Sequence, residues 1–174
     1  MILVGAEGKI EDIERFIEEV RKISEDKGIE IQVVDADLVC GKEHVISACH
    51  HAIRAFKENR NSMRKLSMEL LLYMAGERQV KDAINKIGIK EESQRFVFIF
   101  LDSKDFKDLS GKISEENAES IVKSLGMKIN EDVINVNREK LKRFGFTEEE
   151  LDTVDKDKYT DLILERVAML DIIK

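Results

Sequence analysis

Three side chains with metal-binding chemistry, Cys40, His44 and His51, lie close together in the sequence. Their spacing of i, i+4 and i+11 would bring them near one face of a helix, and zinc accepts a thiolate with two imidazoles. No fourth ligand and no group that would orient the imidazoles stands out nearby. The pattern therefore favours a core cysteine with two surface or capping histidines over a metal centre.

Two loops that contain glycine and lysine are candidates for phosphate binding. Residues 5–9 (GAEGK) separate a predicted strand from a predicted helix, but they are too few for a P-loop and lack its hydroxyl residue. Residues 110–112 (SGK) have no strand directly before them. No G-x-S-x-G elbow indicates a hydrolase, and paired carboxylates are too common in this chain to be diagnostic. We predict no catalytic residue, no cofactor and no enzymatic activity.

The charge distribution between residues 44 and 68 is unusual. The only acid in this segment is Glu58, although the chain has 36 acidic residues among 174. We call residues 58–65, which precede the next predicted helix, the basic loop. The segment predicts either a nucleic-acid contact or a solvated surface that balances acid elsewhere. Its cations are Arg54, Lys57, Arg60, Arg64 and Lys65.

The sequence SMELLLYMAGERQV, residues 67–80, predicts a helix with no polar face. Ser67 is the predicted N-cap, Glu69 suits the first turn, and Gly76 suits a left-handed C-terminal position. Because the helix is apolar on every side, it must be surrounded by protein and would form a rigid platform. Arg78 and Gln79 follow it, and they share a surface with the basic loop if the chain doubles back.

The C-terminal helix, predicted over residues 158–173, carries two apolar stripes. One stripe faces the core and contains Tyr159, Leu162, Ile163, Val167 and Leu170. A helix with a second stripe needs either full burial or a binding partner, and its terminal position favours a partner. The second stripe contains Leu164, Ala168 and Ile172, with Met169 beside it.

Strands and helices interleave along the chain, which predicts an α/β fold with a small mixed β-sheet flanked by helices, in a single domain over residues 1–174. The predicted strands are residues 2–6, 29–34, 95–101 and 132–137. The run RFVFIFL, residues 95–101, predicts a strand covered on both faces. The predicted helices are residues 9–27, 43–58, 68–75, 80–87, 114–125, 147–153 and 158–173.

Composition limits the possible functions. A net charge of −7 argues against a protein that coats nucleic acid non-specifically, so any nucleic-acid contact needs a local basic patch. Two cysteines cannot build a disulfide framework, which predicts a reducing compartment. We see no signal peptide, and the apolar runs are too short for a membrane span. These features predict a cytoplasmic protein with no membrane contact.

Several segments together resemble a known family. Residues 51–56 (HAIRAF) and the basic loop are followed by SMELLLYMAGERQVKDAINKIGI (67–89), FVFIF (96–100) and LILERVAMLDI (162–172). Over nearly its whole length the chain resembles the small kinase-binding subunit of the KEOPS/EKC complex, the TPRKB family. The specific part of the resemblance is ELLLY at 69–73, followed by Ala75-Gly76 and Arg78-Gln79-Val80. The family often has Ser-Gly where this chain has Ala75-Gly76.

The resemblance implies a non-catalytic regulatory subunit in tRNA modification. Complexes of this kind form threonylcarbamoyladenosine (t6A) beside the anticodon, and a separate transferase subunit does the chemistry. The family's small subunit binds and activates an atypical kinase/ATPase subunit and captures the 3′ CCA end of tRNA. The implied direct partners are this kinase and tRNA, whereas the transferase and dimerising subunits are indirect partners.

The resemblance also assigns two sets of site residues. The implied tRNA-binding residues are Lys57, Arg60, Arg64, Lys65, Ser67, Gly76, Arg78 and Gln79. The implied kinase-docking residues are Leu164, Val167, Ala168, Met169 and Ile172.

Two other functions remain as alternatives. Residues 70–89 (LLLYMAGERQVKDAINKIGI) contain a helix, a turn with a glycine and a second amphipathic helix, as a helix-turn-helix DNA-binding regulator requires. The second helix has few base-reading residues, and the chain is acidic. The other alternative is a small nucleotide-dependent enzyme built on residues 5–9.

Overall fold

The computed structural model describes all residues from Met1 to Lys174 and contains four strands and eight helices. The strands are β1 (Ile2–Glu7), β2 (Glu30–Asp35), β3 (Arg95–Leu101) and β4 (Lys128–Ile129). The helices are α1 (Ile13–Lys27), α2 (Lys42–Lys57), α3 (Leu66–Ala75), α4 (Val80–Ile87), α5 (Glu115–Ser124), α6 (Arg138–Phe144), α7 (Glu148–Asp152) and α8 (Tyr159–Ile173). No helix is long and apolar enough to cross a membrane.

The chain divides into two compact units, each built from two segments. Residues 1–36 and 89–133 form one, which we call the sheet unit, and residues 37–88 and 134–174 form the other, the helical unit. One domain over the whole chain stays a prediction.

The sheet unit confirms the α/β class, but its sheet is antiparallel throughout and not mixed. The strand order is β2-β3-β1-β4, and each neighbouring pair is antiparallel. Strands β1 and β2 run in the same direction and are connected through α1, but β3 lies between them and pairs with both. This split β-α-β arrangement leaves no parallel pair.

The core of the sheet unit forms where α1 and α5 meet the sheet. Phe96, Phe98 and Phe100 alternate along β3 toward Phe16 of α1 and Val122 of α5. The intervening residues of β3 are also at most 1% exposed, which confirms a strand covered on both faces. The helix predicted from residue 114 is confirmed as α5, and Ser114 is its N-cap and accepts a hydrogen bond from the Asn117 N–H.

The predicted strand at residues 132–137 is wrong. Residues Glu131–Ile134 form a 3-10 turn, and the fourth strand is the shorter β4 just before it. The Asn130 side chain accepts a hydrogen bond from the Asp132 N–H at 3.1 Å, and this local turn ends the strand. Helix α6 was not predicted, although Asn137 caps it and Gly145 ends it.

Helix α3 lies at the centre of the helical unit, against α2, α4 and α8. Nine of its ten residues are buried, which confirms a helix surrounded by protein. Gly76 ends it with φ +65°, a left-handed conformation that glycine adopts without a Cβ penalty. The prediction that Ser67 is the N-cap of α3 is wrong. Lys65 occupies the cap position, and its carbonyl accepts a hydrogen bond from the Glu69 N–H.

Candidate functional site

All predicted site residues lie in the helical unit. Lys57 ends α2, Arg60, Arg64 and Lys65 lie in the basic loop, and Arg78 and Gln79 lie between α3 and α4. These six side chains are exposed. Because α3 spans ten residues, or about 15 Å, the basic loop and the Arg78-Gln79 pair occupy opposite ends of a buried helix. An RNA that contacts both groups must extend at least that far.

Two of the predicted RNA-binding residues are placed differently from expectation. Ser67 is only 7% exposed, which disfavours its predicted role as an RNA contact. At Gly76, a Cβ would meet the side chains of Arg166 at 3.3 Å and Phe144 at 3.9 Å. The protein's own side chains therefore bound the space next to the Gly76 Cα. The left-handed φ accounts for a glycine at this position without any ligand.

The basic loop is held by a buried carboxylate. Oε2 of Glu69 accepts hydrogen bonds from the backbone N–H groups of Ser62, at 2.9 Å, and Met63, at 2.8 Å. The other oxygen, Oε1, pairs with the ammonium group of Lys174. The Glu69 side chain is fully buried and that of Lys174 is 8% exposed. The loop conformation thus depends on a residue of α3 and on the residue that follows α8.

The cations of the site differ in how far they are neutralised. Arg60 donates hydrogen bonds to Glu58, and its guanidinium lies 3.7 Å from Asp171. The other four cations of the predicted site form no salt bridge with the chain's own carboxylates, and they are free to meet phosphate oxygens. These four are Lys57, Arg64, Lys65 and Arg78.

The outer face of α8 carries most of the predicted docking residues. Ile172 is 76% exposed and Met169 is 43% exposed, Ala168 is exposed, and Leu164 is half-buried. Val167 is the exception: it is fully buried and packs in the core on the same face as Ile163 and Leu170. Its assignment to docking is wrong, because a residue three or four positions from Ile163 and Leu170 shares their inward face.

Helix α2 adds to this surface in a way the sequence analysis missed. A groove of about 440 Å³ lies between α2 and α8, and Ile46 and Leu164 supply its apolar lining. Ile46 is 38% exposed. The available signal in the sequence was the position of Ile46 beside, and not among, the inward-facing residues of α2 such as Val45 and Cys49. The polar lining residues are Glu43, Ser47, His50, His51 and Arg54.

A second carboxylate, the half-buried Asp171 of α8, connects three elements. It accepts hydrogen bonds from the Tyr73 hydroxyl of α3 and from Arg54 of α2, and it lies 2.5 Å from Nδ1 of His51. Burial alone would raise the pKa of Asp171, but the hydrogen bonds from Tyr73, His51 and Arg54 lower it below its ordinary value. The carboxylate therefore stays ionised and fixes the cations around it.

The three candidate metal ligands have partners within the protein. The Nδ1 atom of buried His44 accepts the Cys40 N–H at 3.0 Å, so Nε2 carries the proton and donates to the Met74 carbonyl at 2.8 Å. The third candidate, His51, contacts Asp171. Burial raises the pKa of the Cys40 thiol to about 12, which keeps it protonated. These contacts favour structural roles for all three.

The glycines of the two candidate phosphate loops approach the protein's own backbone. A Cβ at Gly5 would lie 2.5 Å from the Asn130 carbonyl oxygen, and one at Gly111 would overlap the Lys27 carbonyl. The Gly5 N–H also faces the carboxylate of Glu131 at 3.3 Å, which would repel a phosphate. Close packing within the sheet unit accounts for both glycines.

His44 predicts a specific dependence of stability on pH. Burial lowers the pKa of His44 to about 4, because protonation would place a positive charge in a desolvated site and would remove the acceptor for the Cys40 N–H. The positive charges of Lys86 and Lys140 lower this pKa further. The unfolded chain binds the proton near pH 6.5, so stability is full above that pH and is lost as pH falls toward 4. The loss reaches about 3 kcal/mol.

Urea unfolding at pH 7, 6 and 5 measures this loss. His44→Asn provides the comparison, because it keeps an acceptor near Cys40 but does not titrate. Between pH 7 and 5 the native chain should lose about 2 kcal/mol more than the variant. Equal losses would show that His44 does not cause the dependence.

Comparison with known proteins identifies relatives of this chain. Residues 9–171 match the family model described as "Kinase binding protein CGI-121". The chain is 29% identical over 147 residues to the "Regulatory protein Cgi121" of Methanocaldococcus jannaschii, covering 84% of this chain and 87% of that protein.

Two further relatives match over shorter stretches. The "KEOPS complex subunit Cgi121" of Pyrococcus abyssi is 39% identical over 56 residues, 32% of this chain and 33% of that protein. The "EKC/KEOPS complex subunit CGI121" of Coccidioides immitis is 23% identical over 70 residues, 40% of this chain and 34% of that protein. Since one family model spans nearly the whole sequence, the chain belongs to the CGI-121 family of kinase-binding proteins.

Proposed function

We propose that this chain is a non-catalytic regulatory subunit of a KEOPS complex that binds and activates the kinase/ATPase subunit and captures the 3′ CCA end of tRNA during t6A formation. The observation that carries this proposal is the presence of two chemically different surfaces on the helical unit. One is the apolar outer face of α8 with the α2–α8 groove, and the other is the set of unpaired cations around α3.

The apolar surface suits a protein partner. Ile172, Met169 and Ile46 are exposed large hydrophobic residues on two neighbouring helices, and Leu164 lies in the groove between them. Exposed apolar residues that cluster in this way mark interaction surfaces more often than singly scattered ones do. We assign this surface to the kinase subunit, and the transferase and dimerising subunits then meet the chain only through that kinase.

The cationic surface suits single-stranded RNA. Four exposed cations without acidic partners can contact backbone phosphates, and Gln79 can hydrogen-bond a base edge. The chain has only 6% aromatic residues, so hydrogen bonding and shape contribute more than base stacking. A single-stranded tail suits this site better than a duplex, because the two groups of cations lie at opposite ends of α3.

Binding of tRNA with and without its 3′ CCA end tests the RNA part of the proposal. Removal of CCA should weaken binding at least about tenfold, since the tail would supply the phosphates that these cations contact. Equal binding of both tRNAs would reduce the basic loop to a general electrostatic surface. Lack of binding to either would leave only the kinase-docking role.

Duplex DNA of the same length provides the control for the helix-turn-helix alternative. A DNA-binding regulator would prefer duplex DNA to tRNA, and its second helix would be α4. The exposed face of α4 includes Ile84, which is 45% exposed, and the acid Asp82. An apolar and an acidic side chain are poorly suited to the major groove. We therefore expect tRNA to bind more tightly than the duplex.

A further inference from the structure

The last turn of α8 and the residue after it, residues 171–174, face both proposed binding surfaces. Ile172 is 76% exposed on the outer, kinase-docking side, and Ile173 beside it is 46% exposed. Asp171 and Lys174 point inward and are largely buried. One short segment therefore carries side chains of two surfaces that would otherwise be separate.

Asp171 connects this segment to the cations beside the basic loop. Its carboxylate accepts hydrogen bonds from Arg54 and from the Tyr73 hydroxyl, and it lies 3.7 Å from the Arg60 guanidinium. Arg60 also pairs with Glu58 at the start of the loop. Loss of Asp171 from this position would leave Arg54 and Arg60 without their shared anion.

Lys174 connects the same segment to the backbone of the loop. Its ammonium group pairs with Glu69, and the other oxygen of Glu69 holds the N–H groups of Ser62 and Met63. Glu69 is fully buried, so departure of Lys174 would leave a buried carboxylate without its cation. The loop conformation is therefore sensitive to the position of Lys174.

The segment has little apolar anchoring of its own. The last buried apolar residue of α8 is Leu170, and beyond it the inward contacts are polar. Because few apolar contacts fix this helix end, its position depends on the polar contacts of Asp171 and Lys174. Two states follow: a closed state, in which Asp171 and Lys174 order the loop, and an open state, in which they do not.

We propose that kinase docking and RNA binding are positively coupled through residues 171–174, with Asp171 and Lys174 as positioning residues for the basic loop. This inference rests on the proposed function. A kinase that packs on Ile172 requires the closed helical turn, and RNA that binds the ordered loop requires the same state. Each ligand therefore favours the state that the other binds, and the effect is reciprocal.

The test measures the dissociation constant of a short RNA that ends in CCA, with the chain alone and with the chain saturated by the kinase subunit. The native chain should bind the RNA about 5- to 10-fold more tightly in the complex. Asp171→Asn keeps the shape of the side chain but removes its charge, and it should reduce this ratio to about 1 or 2. Lys174→Gln tests the second connection independently and should also lower the ratio.

Asp161→Asn is the matched control, because it makes the same chemical change on an exposed residue of α8. It should keep the native ratio. An undiminished ratio in Asp171→Asn and in Lys174→Gln would overturn the coupling, because the tighter RNA binding would then arise from direct contacts between the kinase and the RNA. A ratio of 1 in the native chain, with both ligands bound, would also overturn the coupling but would leave the proposed function standing. Failure of the native chain to bind either ligand would instead overturn the proposed function, and the coupling with it.

Hydrogen exchange provides a readout that a purely structural role would not change. Kinase binding should slow hydrogen exchange at the backbone amides of Ser62 and Met63, which donate hydrogen bonds to Glu69. These two residues are not on the docking face. The slowing should disappear in Asp171→Asn and persist in Asp161→Asn. Unchanged exchange at both amides in the native complex would contradict the coupling.

Discussion

Ile172→Glu is expected to weaken binding of the kinase subunit by at least about 100-fold without unfolding the chain. Ile172 is 76% exposed, so the substitution removes almost no packing from the protein itself. In a complex, the lost burial of an isoleucine costs about 1.5–3 kcal/mol, and an unpaired carboxylate in an apolar interface adds about 1–3 kcal/mol. The sum corresponds to a loss of roughly two to four powers of ten in affinity.

Calorimetric titration of the kinase subunit measures this loss, and thermal unfolding of the variant checks the fold. Ile17→Glu is the control: Ile17 is 53% exposed on α1 of the sheet unit, so the same change should leave kinase affinity intact. Val167→Glu should unfold the chain, because Val167 is fully buried. Unchanged kinase affinity in folded Ile172→Glu would remove α8 from the docking surface.

The double substitution Arg64→Glu and Lys65→Glu is expected to weaken binding of CCA-ended RNA about 100-fold at low salt. Both side chains are exposed and form no salt bridge in the chain, so their reversal removes two phosphate contacts and adds two repulsive charges. At about 0.5–1 kcal/mol for each unit of charge, the four units give roughly 2–4 kcal/mol. Kinase docking should not change, since these residues lie in the basic loop.

The salt dependence of the same binding reaction gives an independent measure. Four neutralised phosphates of a single strand predict a slope of log K against log salt near −2.8, and two predict about −1.4 in the double variant. Lys22→Glu with Lys112→Glu is the control, because it makes the same charge change on exposed lysines of the sheet unit. If the control weakens binding as much as the double variant does, only net charge matters. Loss of kinase docking along with RNA binding would contradict two separate surfaces.

The sequence predicted the elements whose signals are local. The start of α5 near Ser114, the left-handed Gly76 and the run of β3 each depend on a few neighbouring residues. The same holds for the complete burial of α3, because a helix without a polar face has no stable position in water. The wholly antiparallel sheet was missed because strand order depends on β3, which lies some sixty residues beyond β2.

For the candidate site, the sequence determined which side chains are available, and the tertiary structure decided which of them can act. The cations of the basic loop and the second stripe of α8 were evident from composition and spacing. The spacing of α8 also placed Val167 in the core-facing stripe and Ile172 in the second stripe, and the docking role of Val167 came only from the resemblance. The contacts that order the loop join Glu69 to Lys174 and Arg54 to Asp171, residues more than one hundred positions apart. Long-range ion pairs leave no periodic pattern in a highly charged sequence, so only the folded chain shows which charges meet.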